Sequence, residues 1–178
     1  MPGISTVTVG GALERHRRAN GIDPDAALAT TWVCKLACFE LKLPNFSWRK
    51  AAILRHDLHH VLTGFPCTIR GECQMAAWEF AAGRFPDCRA TLFCLPLVAL
   101  GAILAPFQTF DAFVLGRNSR SLYGRDLDME ELVASVHVST LPATIPRAKA
   151  QDSLVFLALV TFSGLEIALP IACVLMLV

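Results

Sequence analysis

The last twenty-five residues of the chain, 154–178, form an almost continuous apolar run interrupted by Glu166 and Pro170. About 20 such residues suffice for a helix to cross a ~30 Å hydrocarbon core. One Glu near the middle costs about 2–3 kcal/mol on insertion scales, which the surrounding Leu, Val, Ile and Phe side chains outweigh. The run is therefore expected to be a transmembrane or membrane-buried helix. Arg147 and Lys149 stand just before it. The positive-inside tendency then puts the preceding part of the chain on the cytoplasmic side. A second apolar segment, 92–115, is interrupted by Pro96, Pro106, Gln108 and Asp111. If both segments crossed, the Arg residues between them would lie on the wrong side. Segment 92–115 is instead expected to lie in the membrane plane, to line a groove, or to enter as a hairpin without crossing. Its prolines would bend it and free backbone groups that need partners.

The two segments carry the compositional skew. Apolar residues make up 54% of the 178 and charged residues 17%, with a formal net charge of +1. So small a charge argues against nucleic acid as a partner, because phosphate binding needs a basic surface. The cluster Arg15-His16-Arg17-Arg18 is too short to change this and reads as a solvated helix face. Seven cysteines occur at irregular spacing, and no apolar leader marks the first thirty residues. A reducing compartment with mostly buried thiols fits that pattern. Cys34 and Cys38 are one helical turn apart but have no second Cys or His pair at finger-like spacing.

Start and stop signals divide the rest into helices, and the expected fold class is all-α. Residues 1–22 read as an N-terminal lead-in with a β-like stretch at 4–9. Residues 23–152 read as a helical domain, and 153–178 as the membrane helix. Asp23-Pro24 resembles a helix start, with Trp32, Leu36 and Phe39 at three-to-four spacing predicting a helix over about 24–41. A second helix is expected from Ser47, as its cap, to residue 62 or 63. Gly64 suits its left-handed end and Pro66 its stop. Thr68 can cap a third helix over about 69–82, with Glu72 in its first turn and Gly83 and Pro86 closing it. A further helix is expected at 129–138.

The helix–turn–helix of the second and third helices carries the chemistry. His56 and His60 are four apart, so a helix stacks their imidazoles on one face within reach of one ion. Asp57 borders the same patch, and the Gly-Pro turn folds Glu72 back toward it. Two imidazoles and two carboxylates suit Zn²⁺, Mn²⁺ or Fe²⁺ better than ions that favour sulfur. The candidate metal ligands are His56, Asp57, His60 and Glu72, and the candidate catalytic groups are Asp57 and Glu72. His59 points about 100° away from His60 and reads as a supporting or surface group. Glu79, two turns after Glu72, can accept the second N–H of a metal-bound imidazole.

The run RHDLHHVLTGFPCTIRGECQMAAWEF, residues 55–80, resembles the signature of the Coq4 family of ubiquinone-biosynthesis proteins. That signature is His-Asp, two residues, His, eleven residues, Glu, and it falls here on His56-Asp57, His60 and Glu72. Leu62, Gly64, Pro66, Gly71 and Glu79 also fall in register. A weaker resemblance runs through 92–107 and Gly116-Arg117, Leu122-Tyr123 and Asp126, so that about 43–147 is covered. The chain looks like a divergent bacterial member with an additional C-terminal hydrophobic helix. The resemblance implies a helical, membrane-associated protein that binds a divalent ion, usually taken to be zinc, through these four residues. It also implies a polyprenyl lipid held in an apolar groove, and removal of the C1 carboxyl of a polyprenylated aromatic ring in ubiquinone synthesis. The expected partners are the quinone-precursor lipid, the bacterial inner membrane and other quinone-biosynthesis enzymes. In the alternative reading the protein is a non-catalytic, lipid-binding scaffold for those enzymes. A lipid tail is expected between segment 92–115 and the helices carrying Trp32 and Trp78.

Overall fold

The computed structural model describes residues 9–23, 25, 29–36, 39–83, 85, 87–123 and 144–176. Among them are six helices and one two-stranded hairpin, so the fold is mostly helical. The elements are α1 (Val9–Ala19), β1 (Thr31–Leu36), β2 (Phe39–Pro44), α2 (Ser47–Thr63), α3 (Ile69–Ala82), α4 (Cys88–Leu104), α5 (Pro106–Arg117) and α6 (Ala150–Met176). The helix expected at 129–138 lies outside the described residues.

Two expectations about the N-terminal third are corrected. Residues 31–44, expected within or just after a helix, form an antiparallel hairpin in which Trp32 pairs with Leu43 and Val33 with Lys42. The apolar spacing that suggested a helix is equally compatible with alternation, since Leu41 and Leu43 alternate with Glu40 and Lys42. The β-branched and aromatic run Thr30-Thr31-Trp32-Val33 favours the pleated form. Asn45 ties the hairpin base, its backbone N–H donating to the Thr30 carbonyl and its amide to that of Ala29. Upstream, residues 9–19, read as a loose polar lead-in, form α1, which lies against α2.

The α2–α3 unit follows its punctuation closely. Gly64 ends α2 at φ 72°, and its N–H reaches the His60 carbonyl. Ser47 is the first helical residue, with Phe46 at the cap position and no side-chain cap. Thr68 caps α3 by accepting from the Gly71 N–H. A Cβ at Gly71 would overlap the Pro66 carbonyl, so the turn needs a bare residue there.

α3 is the centre of the core. Its closest neighbour is α5, and Met75 and Trp78 pack with Ala112 and Leu115. Gly116 permits this approach, because a Cβ there would collide with the Trp78 carbonyl. Trp78, expected beside a lipid tail, is fully buried in this core and donates its indole N–H to Ser119 at 3.1 Å.

Segment 92–115 is divided between α4 and α5, with the break at Ala105 and Pro106 opening the second helix. α4 is apolar but only 17 residues long. α6 is the one helix among the described residues long and apolar enough to cross a membrane, over Ala150–Leu169. Its first turn carries Asp152, which accepts from the Lys149 N–H and pairs with Arg117. Its Ser163 hydroxyl, fully buried, donates to the Leu95 carbonyl and accepts from the Ala99 N–H at 3.0 Å. Those two backbone groups belong to one rung of α4 next to Pro96. Ser163 thus ties α6 to the turn of α4 that contains Pro96.

Candidate metal centre

α2 presents His56, His59 and His60 to α3, and the Gly64–Thr68 turn returns the chain so that Glu72 and Glu79 face them. His56 Nε2 lies 3.1 Å from His60 Nε2. Glu72 places one carboxylate oxygen 3.2 Å from His56 Nε2 and the other 3.3 Å from His60 Nε2.

The outer faces of the rings determine which protons are where. His60 Nδ1 is 2.8 Å from the Phe65 carbonyl, and His56 Nδ1 is 3.0 Å from Glu79 Oε1. Carbonyl and carboxylate oxygens only accept, so both Nδ1 atoms donate. Each neutral ring then turns a lone pair, on Nε2, toward the other ring and toward Glu72. Three acceptors that converge within 3.3 Å can share a cation, either a proton or a metal ion. The spacing fits a metal ion. Ligands about 2.0–2.1 Å from a zinc-sized ion stand about 3.3 Å apart at tetrahedral angles and about 2.9 Å apart at right angles. His56, His60 and Glu72 are therefore a group that could hold a metal ion.

A proton on His56 fills the same place when no ion is bound. Burial alone would lower His56, but the carboxylates of Glu79 and Glu72 outweigh it and raise its pKa well above the usual 6.5. Burial would likewise raise Glu72, yet the His56 and His60 contacts bring it down to about 2.

Glu79 orients the set from behind. It is fully buried, and its Oε1 accepts from His56 Nδ1, from His59 Nδ1 at 2.6 Å and from the Tyr123 hydroxyl at 2.9 Å. Its Oε2 has no partner among the described residues. His59 is closed on both sides, since its Nε2 accepts the Leu122 N–H at 2.9 Å. Burial accordingly lowers the His59 pKa, against the pull of Glu79.

Asp57 stands apart from this group. It is buried, and its Oδ2 is held by Arg17 of α1 through two nitrogens at 2.9 Å each. Asp57 and the metal-type residues nonetheless line one cavity of about 390 Å³. Its remaining walls are largely apolar: Trp32, Trp48, Ile53, Phe85, Phe93 and Leu97. Trp32 meets Phe93 edge-on at 5.8 Å, and Arg49 stacks over the Trp32 ring at 3.9 Å. The cavity is of the size of small-molecule sites, ~300–1,000 Å³.

Several of these residues escape sequence reasoning. The sequence groups His16 and Arg17 with Arg15 and Arg18 as a solvated face, but of the four only Arg15 and Arg18 are exposed, and His16 and Arg17 turn toward α2. Cys67 and Trp48 carry no functional signal in the sequence, whereas Tyr123 enters through the weaker resemblance and Phe93 only as part of segment 92–115. Only the helical phase of α1, with Leu13, His16 and Arg17 on one side, could have indicated the first pair. No family model, curated protein or solved structure matches this chain.

Proposed function

We propose that this chain is a membrane-associated, metal-dependent lyase, related to the Coq4 family, that removes the C1 carboxyl of a polyprenylated aromatic ring in ubiquinone (coenzyme Q) biosynthesis. The observation that carries this reading is the His56–His60–Glu72 group at one end of an otherwise apolar cavity. A ligand suited to such a site is amphiphilic, with a ring and acidic oxygens at the polar end and a prenyl chain along Trp32, Phe93 and Leu97. α6 supports a membrane source for it, with the metal domain on the cytoplasmic side next to Arg147 and Lys149.

A zinc, manganese or iron(II) ion held by His56, His60 and Glu72 would supply Lewis-acid polarisation of the ring carboxylate or a neighbouring phenolic oxygen. Glu79 keeps the His56 ring in the tautomer that offers Nε2, and the Phe65 carbonyl does the same for His60. The substrate carboxylate competes with Asp57 for Arg17. Asp57, released and protonated from solvent, is then the acid beside the ring. The C1–carboxyl bond breaks, CO₂ leaves, and the electron pair left on C1 takes the proton from Asp57.

The reading is tested with a deletion strain. Its lipid extract accumulates a carboxylated, prenylated quinone precursor; wild-type protein clears it, and Glu72→Gln leaves it in place while still binding lipid. An unchanged quinone profile in the deletion strain defeats the pathway assignment. Undiminished metal content in purified His60→Ala defeats the metal assignment.

The scaffold reading also has a specific observation behind it, since Arg17 occupies the Asp57 carboxylate that catalysis needs. Rescue of the deletion strain by Glu72→Gln would favour it.

A further inference from the structure

A second set of ligand-type atoms meets at His60. His16 of α1 stacks its ring on that of His60, with centroids 5.4 Å apart and 19° between planes. Cys67, in the α2–α3 turn, places Sγ 3.3 Å from His16 Nε2. One ligand atom from each of His16, His60 and Cys67 lies within 4.8 Å of the other two. Cys67 is a free thiol, half-buried, and lines the same cavity as Glu72.

The convergence is built by the fold. The Arg17–Asp57 pair sets the register of α1 against α2 and so delivers the adjacent His16. The Gly64–Thr68 turn, which also positions Glu72, delivers Cys67. A thiol beside one imidazole is ordinarily only a hydrogen bond. Here a third residue of ligand type, already part of a group that could hold a metal ion, completes a set with two nitrogens and one sulfur.

We propose that His16, His60 and Cys67 form a second, sulfur-containing cation site that shares His60 with the His56–His60–Glu72 group and takes a thiophilic divalent ion such as Zn²⁺, Cd²⁺ or Co²⁺. A zinc-type ion, with metal–sulfur near 2.3 Å and metal–nitrogen near 2.0–2.1 Å, needs ligand edges of about 3.3–3.6 Å. The Cys67–His16 edge already has that length. The remaining contraction takes side-chain rotation at half-buried His16 and Cys67. The two sets differ in softness: two imidazoles with a carboxylate suit harder ions, and two imidazoles with a thiolate suit softer ones. Because both need His60, occupancy of one weakens the other, and the centre sorts ions by type. This site stands independently of the decarboxylase reading.

The test uses the full chain, purified in detergent and stripped of metal, titrated separately with Co²⁺ and Cd²⁺. The wild type is expected to develop the near-ultraviolet absorption of sulfur-to-metal charge transfer. Cys67→Ser and Cys67→Ala are expected to lose that absorption. His16→Ala should bind Cd²⁺ at least about tenfold more weakly. Glu72→Gln should keep the sulfur absorption. Cobalt bound by the wild type without a sulfur band overturns the second site and leaves the first standing. A band that persists in both Cys67 variants assigns the sulfur to another cysteine and also overturns it. Failure of the decarboxylase reading alone would leave all these spectra unchanged.

Discussion

The α2–α3 pair and α6 reverse the usual relation between polarity and burial in opposite ways. In α2–α3, His59 and Glu79 are 0% exposed, with His60 and Asp57 nearly so. On α6, Leu154 is 70% and Leu157 63% exposed, and the nearby corner residue Phe107 of α5 is 80% exposed. Buried polar groups are tolerated only when each finds a partner, so α2–α3 is fixed by directional contacts. Exposed apolar groups on this scale call for a solvent other than water or for a partner surface. α6 is instead attached to the rest of the protein by few polar contacts, those of buried Asp152 with Arg117 and of buried Ser163 with α4 among the described residues. One region is specified from within, the other by its surroundings.

The comparison can be broken from the polar side most strongly. Glu79→Leu strands the donors of His56, His59 and Tyr123 and should cost about 3–5 kcal/mol, as removal of one partner of a buried charged network does. Chemical denaturation in detergent measures it, and Glu79→Gln, which keeps one acceptor oxygen, should lose clearly less. From the apolar side, Phe162→Asp places a charge on the exposed face of α6. Membrane partitioning should weaken by about 2.5–3.5 kcal/mol if that face meets lipid, while metal content stays the same. Flotation with liposomes reads the first, and metal analysis the second. At the junction of the two regions, Ser163→Ala leaves the Pro96 turn of α4 without its hydroxyl and should destabilise by about 1–2 kcal/mol.

The smallest effect is the pH dependence of the metal-free protein. Glu72 is depressed from 4.5 to about 2, so its contribution is present above pH 4.5 and is lost as the pH falls through about 2. His56 is raised, so its contribution is complete below 6.5 and is lost as the pH climbs through its higher folded value. Unfolding midpoints should therefore fall on both the acid side and the alkaline side. Glu72→Gln should flatten the acid limb. An acid limb equally steep in that variant would detach Glu72 from the network.

Where residues act on their neighbours, the sequence was readable. Gly64, Pro66, Thr68 and Gly83 bound α2 and α3 because caps and turns are short-range requirements of the backbone. The four-residue spacing of His56 and His60 is likewise a property of the helix alone. The length of α6 follows from composition. What failed was the segment 31–44, where three apolar residues fitted both periods and the pairing of β1 with β2 decided between them.

Only the tertiary structure could decide the rest. Asp57 and His56 are adjacent in the chain, but α1 claims the first through Arg17 while α3 claims the second through Glu72 and Glu79. The sequence alone determined that two imidazoles and a returning carboxylate lie near each other, and that an apolar helix follows. Packing determined which lone pairs face a common point, which carboxylate is diverted to an arginine, and that His16 and Cys67 join the neighbourhood. The physical reason is range: helical spacing and turn chemistry act over a few residues, whereas a lone pair's direction depends on what accepts the proton on the ring's far side, and here those acceptors come from the next turn and the next helix.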